Sequence, residues 1–369
     1  MLKNMSKETS LSKAIAFVKE STRISPKSSC EDIDTLNYKE LSGSLVINRE
    51  YQRNYIQSEE SASAYIESIF LGLIIPEIQV FEDYNTGERE IIDGQQRVLS
   101  LLKFYRGEFK LKKLKEFPEL NGLYYNDLPV ELKNVIRNFQ VNIRTFTNSD
   151  ELYKYVIFER LNTGAKKLNS QEVRNCVFRG EMLDAVKPLA ELDEVIEMFI
   201  GIKNVRFQRV EVVLNIISLI QVFEKEEYKE LLSDDVMKRR INKFLELAKS
   251  FDTETINTIT QNFTNLTKFI HKNFNIIHII NLMYPEQPNF SVAKTICETL
   301  YTAFSAYDLD VCEEYIDSIR TSIYEALASK EYKECLGNAS LKTCKLIELR
   351  NDIVKNAINK VFEKKKALA

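Results

Sequence analysis

Glycine is unevenly spread along this chain: nine of its ten glycines lie at or before Gly201, and only Gly337 lies beyond it. Glycine is the residue that takes a backbone through left-handed turns without steric cost. The first part is therefore rich in tight turns and the second is poor in them. Only seven prolines interrupt the 369 residues, so long helices and few short strands are expected. A chain of this length suits two or three domains. The expected division is a polar lead-in over 1–44, an α+β domain over 45–201 and an all-α helical domain over 202–369.

The net charge of -3 excludes a protein drawn onto nucleic acid or an anionic membrane by bulk charge alone, although a local basic groove stays open. A 44% hydrophobic and 28% charged composition is that of a folded globular chain. The six cysteines form no C-x-x-C pair, and the first ten residues, MLKNMSKETS, have no apolar signal-peptide core. No stretch approaches the ~18 apolar residues of a membrane span. These features predict reduced thiols in a cytoplasmic protein with no membrane partner.

Ser58 followed by Glu59 and Glu60 is a helix-start signal, and Tyr65, Ile66, Ile69, Phe70 and Leu73 give that helix an apolar stripe closed by Gly72. IQVF at 78–81, a turn at 84–87 and REII at 89–92 predict a hairpin. A second helix carries Val98, Leu101, Leu102 and Tyr105 and stops at Gly107. One short helix is expected around 130–138, a strand over 141–146 and a helix over 150–161. Asn169 and Glu172 form a capping-box pattern. Beyond Gly201 helices are expected over 209–224, 234–250, 256–280, 289–305, 309–329 and 341–365.

Between the second hairpin strand and its helix lies Asp93-Gly94-Gln95-Gln96-Arg97. A helix start offers unpaired amides and a positive dipole end to a phosphate. Gly94 permits close backbone approach, Arg97 brings a guanidinium fork one turn in, and Gln95 or Gln96 can bind a phosphate oxygen or place a water. Asp93 is the candidate metal ligand. A purely structural reading stands beside this: Asp93 and Gln96 as a capping box, with Arg97 on the surface. No Walker-type phosphate loop occurs.

Two further constellations are Tyr51-Gln52-Arg53 and Phe158-Glu159-Arg160-Leu161-Asn162-Thr163-Gly164 with Leu168, Glu172, Arg174 and Asn175. Taken in order with Glu67-Ser68-Ile69, Gly72, Pro76 and the DGQQR segment, they resemble the N-terminal domain of GmrSD-type restriction endonucleases (domain of unknown function 262). The resemblance covers roughly 45–179. It implies a ParB/sulfiredoxin-like α+β fold that binds a nucleoside triphosphate with Mg²⁺, often hydrolysing it, in defence against foreign DNA. Carried over, Asp93, Gly94, Gln95, Gln96 and Arg97 form the nucleotide site, Tyr51, Gln52 and Arg53 face it, and Asn162 lines it. The chain departs from the family in reading Asn48-Arg49-Glu50 before Tyr51, Gln57 after it, and Val98-Leu99-Ser100 after Arg97.

DNA-cutting relatives carry an HNH-type nuclease, which needs a general-base histidine. The two histidines here, His271 and His278, lie seven apart and are expected on one face of an apolar helix. Glu227-Tyr228-Lys229 and Glu331-Tyr332-Lys333 are expected to be helix-face ion pairs, so no nuclease centre is expected. Basic clusters at Lys110–Lys115, at Lys203, Arg206 and Arg209, and at Lys238–Lys243 are candidates for DNA phosphate contact. The leading expectation is a nucleotide-dependent sensor or regulator of a restriction or antiphage system that acts with DNA or a partner nuclease. The alternative is a non-enzymatic ParB-like DNA-binding or scaffolding protein.

Overall fold

The computed structural model describes residues 26–47, 58–148, 151–161, 168–199, 201–202, 204–233, 237–337 and 343–366. The chain divides into two compact units, Met1–Leu168 and Asn169–Ala369. The first is α+β and the second is helical.

The first unit is built on a mixed five-stranded sheet of order β1-β5-β3-β4-β2. Its strands are β1 (Lys27–Glu31), β2 (Leu45–Val46), β3 (Ile78–Asp83), β4 (Arg89–Asp93) and β5 (Val141–Asn148). β3 and β4 form the expected hairpin. Its turn is an Asx turn in which Asp83 Oδ1 accepts from the amides of Asn85 and Thr86 at 2.8 and 2.9 Å. β5 joins β3 in parallel and β1 in antiparallel fashion.

Helices α1 (Ile33–Leu41), α2 (Glu59–Phe70), α3 (Gln95–Tyr105) and α4 (Val130–Arg137) cover one face. Ile66, Val98 and Leu101 pack there with Ile78, Val80, Ile91 and Ile143 in one core cluster. Ser58 caps α2 as its sequence predicts, accepting from the Ser61 amide at 3.2 Å. Leu73, however, is 54% exposed and leaves the stripe. Helix α5 (Glu151–Leu161) packs against β4. Its Lys154 donates to the buried Glu90 at 2.8 Å and lies over the Phe81 ring.

Residues 27–41, read from sequence as part of a loose lead-in, form β1 and α1. Asp32 caps α1 by accepting from the Thr35 amide at 2.7 Å, and Ile33 and Leu36 are fully buried. Two anchors in an otherwise polar segment suffice because the sheet supplies the rest of the contact surface.

In the second unit, the division ahead of Asn169 places three short helices with the later ones: α6 (Ser170–Val177), α7 (Glu181–Leu189) and α8 (Asp193–Met198). The central α9 (Gln208–Glu224) is buried on all sides from Val212 to Val222, the pattern of a fully enclosed helix. Around it lie α10 (Met237–Ala248), α11 (Thr253–Asn273), α12 (Ile276–Met283), α13 (Ala293–Phe304), α14 (Leu309–Glu314), α15 (Ile316–Ala328), α16 (Lys330–Gly337) and α17 (Thr343–Lys366).

The single helix expected over 256–280 is two. Phe274 leaves helical geometry and Asn275 caps α12 by accepting from the His278 amide at 2.9 Å. His271 and His278 therefore stand on different helices. The span 309–329 is likewise broken, at Tyr315.

Helix α6 is locked into the second unit by its own polar residues. The predicted capping box forms between Asn169 and Glu172, and Glu172 also takes the Arg206 guanidinium at 2.9 and 2.5 Å. Arg206 and Phe207, both non-glycine, hold left-handed φ values of 57° and 64° at the start of α9. The Arg206 carbonyl accepts from Asn169 Nδ2 at 2.8 Å, so the capping box also fixes this strained turn. Arg174 is fully buried. It donates to Asn242 at 2.8 Å, Gln171 at 3.0 Å and Glu211 at 2.7 Å. Truncation would strand all three acceptors. Arg174→Ala is expected to lower unfolding free energy by about 3 kcal/mol, read as a reduced urea midpoint.

Candidate functional site

Between β3 and β4 the register shifts: Val80 faces Ile91, but Gln79 faces Asp93. Two steps along β4 answer one along β3, which is a β-bulge. Strict alternation would point Asp93 to the same face as Ile91. The bulge turns it to the opposite face, beside Gln79 and, on the next strand, Arg144.

The chain then turns into α3 through Gly94, which is the helix N-cap with φ 92° and makes no side-chain cap hydrogen bond. The capping box between Asp93 and Gln96 is therefore not what starts this helix. Asp93 is still the last residue of β4, one position too early to reach the first-turn amides. A side chain at 94 is disfavoured by the positive φ, and a Cβ there would crowd Ile78 Cδ1, so that the end of the isoleucine side chain would have to shift. Both are consequences of packing the helix start directly against β3.

Arg97 closes the turn. Its Nη2 donates to Asp93 Oδ2 at 2.8 Å, and its Nη1 donates to the carbonyls of Pro76 at 2.5 Å and Glu77 at 3.4 Å. It is therefore not the surface residue of the structural reading, with a side chain 20% exposed. The guanidinium ties the end of β4, the first turn of α3 and the segment leading into β3 at one point. Burial pushes the Tyr65 hydroxyl up to about 12, with the Arg97 charge acting in the opposite direction. Gln95 Nε2 donates to Ile91 O at 2.9 Å. The Ser100 hydroxyl donates back to Gln96 O at 2.7 Å and is buried within the helix.

Three residues that sequence reasoning passed over complete the polar file. Glu77 Oε1 accepts from Gln79 Nε2 at 2.9 Å and lies 2.9 Å from Arg144 Nε. Arg144, Glu77 and Gln79 are thus linked by side-chain contacts, and strand register sets Gln79 opposite Asp93, which Arg97 holds. The side-chain amide oxygen of Gln79, Oε1, is buried there with no hydrogen-bond partner. No local motif marks these three, since only strand register brings them to Asp93.

Asp93, Gly94, Gln95, Gln96 and Arg97 are thus assembled and half-buried. Tyr51, Gln52, Arg53 and Asn162 lie outside the described residues. Other motif positions build the fold. Glu67 is buried and accepts from the amides of Glu116 at 2.8 Å and Phe117 at 3.3 Å. Two of the basic clusters are partly neutralised. Lys112 and Lys113 pair with Glu59 and Glu60 at 2.5 and 2.6 Å, and Arg209 pairs with Glu191 at 2.6 Å.

Of the glutamate–lysine pieces, Lys229 pairs with Glu226 at 2.5 Å, whereas Tyr332 is fully buried and bonded to Thr299 at 2.9 Å. His271 meets Glu197 at 2.7 Å, and the exposed His278 rests against the Tyr324 ring. Among the described residues no three His, Cys, Asp or Glu side chains gather as a metal site, and no helix is long and apolar enough to cross a membrane.

This bulged hairpin and left-handed helix start lie in a stretch that matches a known family. Residues 33–179 match the family model of the GmrSD restriction endonuclease, N-terminal domain. The matched stretch is similar to this family's domain, and it runs past Leu168 into α6 of the helical unit. No curated protein and no solved structure matches the chain.

Gly94→Ala is expected to cost at least about 2 kcal/mol, combining a left-handed alanine with a core clash. Gly87→Ala, also at positive φ (70°) but with open space around it, should cost only about 1 kcal/mol. Urea unfolding of the two variants measures the difference.

Proposed function

We propose that this protein is the nucleotide-responsive component of a bacterial DNA restriction system, with a nucleoside triphosphate bound at the amino end of α3. The observation that carries the reading is the start of that helix. Gly94 occupies the N-cap and, having no side chain, does not itself cap the first-turn amides; it lies inside the stretch that matches the restriction-endonuclease domain. The amides of Gln95, Gln96 and Arg97 and the helix dipole favour phosphate oxygens there.

In this reading Arg97 acts chiefly by position. Its fork holds Asp93 and the Pro76–Glu77 carbonyls, and so fixes the amides against β3. Gln95 commits an amide hydrogen to Ile91 O, and Gln96, one residue further into the first turn, would orient an attacking water. The unpartnered Gln79 Oε1 is an acceptor for a ligand hydroxyl. Tyr51, Gln52, Arg53 and Asn162 would complete the pocket, as the family resemblance implies.

Mg²⁺ fits the donor set, because it needs only one or two protein carboxylates when phosphates and water supply the rest. Asp93 would hold it, with one carboxylate oxygen already bonded to Arg97. When bound, the ion neutralises charge developing on the transferred phosphoryl group. DNA or a nuclease subunit is the partner to which the helical unit passes the nucleotide state.

Gln96→Glu tests the reading, because a carboxylate in the first turn suits the helix but repels a triphosphate. Binding of labelled ATP and GTP by the full chain should fall at least tenfold in this variant, with Tm unchanged. Wild-type protein that binds neither nucleotide, or a variant that binds as tightly as wild type, overturns the proposal.

A further inference from the structure

In the helical unit, around Arg240, the described cations outnumber the described carboxylates. Arg240 on α10 is 2% exposed. Its Nη2 donates to Asn215 Oδ1 on α9 at 2.5 Å, and its Nε has no partner. Asn215 in turn donates to Glu298 Oε1 on α13 at 2.6 Å. Glu298 is the nearby carboxylate, but it already has Lys294 at 3.7 Å. Arg350 on α17 brings a third cation. Its Nη1 reaches only the Cys335 carbonyl at 3.4 Å, and its Nε is also buried without a partner.

Among the described residues neither Arg240 nor Arg350 has a carboxylate at ion-pair distance. Burial lowers the Arg240 pKa, Glu298 opposes that shift, and the charge of Arg350 adds to it, so the two guanidiniums act on each other. A buried charge without a counter-charge is strongly destabilising. A water molecule would satisfy the orphan nitrogens but leave both charges unanswered. A tetrahedral oxyanion does both, and guanidinium forks match its geometry.

We propose that Arg240 and Arg350 form an interior site, among α9, α10, α13 and α17, for a small phosphate-bearing anion. Burial of Arg240 excludes a polynucleotide backbone. Arg350 is half-buried and marks the side from which the anion enters. This site lies wholly in the helical unit and does not depend on the nucleotide reading of α3.

Thermal unfolding of the full chain tests it, with millimolar inorganic phosphate compared against chloride at equal ionic strength, and AMP in a parallel series. Phosphate should raise Tm by several degrees. A rise with phosphate alone identifies the free ion, and a rise with AMP as well identifies a phosphomonoester. Arg350→Gln should remove the rise. Arg240→Met should remove it too while unfolding at the same or higher temperature than wild type without phosphate, since a buried unpaired charge has gone. Gln96→Glu should keep the full response, which separates this site from α3. No rise beyond chloride in either series, or a rise retained in Arg350→Gln, overturns the site.

Discussion

The fork of Arg97 is the interaction on which the first unit's geometry turns. One planar group accepts three obligations: the Asp93 carboxylate at the end of β4, and the carbonyls of Pro76 and Glu77 where the chain approaches β3. Lysine, a single point charge, could not meet all three in fixed directions. The bulge beside it re-aims Asp93, and Gly94 lets the helix start press against Ile78. These features depend on one another. Without the bulge Asp93 faces the core, and without the glycine the turn closes only under strain.

The same economy recurs in the helical unit with a different outcome. Arg174 meets three side-chain acceptors and Arg206 meets both oxygens of Glu172. These arginines are structural, although they sit among motif residues or basic clusters that invite a phosphate-binding reading. Arg240 and Arg350 stand apart because their donors are not matched. The count of satisfied donors, rather than the presence of arginine, separates a scaffold residue from a candidate ligand-binding one.

Much of the fold was legible because local chemistry and tertiary structure agree. Ser58, the Asp83–Gly87 turn and the Asn169–Glu172 box do in the structure what their sequence pattern says, since each satisfies backbone groups within four residues of itself. The 27–41 segment was not legible, because β1 is held by β5, 112 residues away at the Cys30–Asn142 pair. The break at Phe274 was hidden by an apolar run that continues unbroken through it. The DGQQR segment was visible as a candidate site, but the neighbouring Glu77, Gln79 and Arg144 were not.

From the sequence alone came the α+β to all-α order, the helix starts, and the five contiguous residues at 93–97, because these depend on neighbours along the chain. Only the tertiary structure decided which face Asp93 looks to, that Arg97 binds carbonyls twenty residues upstream, and which arginines are spent. Strand register and helix packing set those outcomes, and both are properties of pairs of segments that no local window contains.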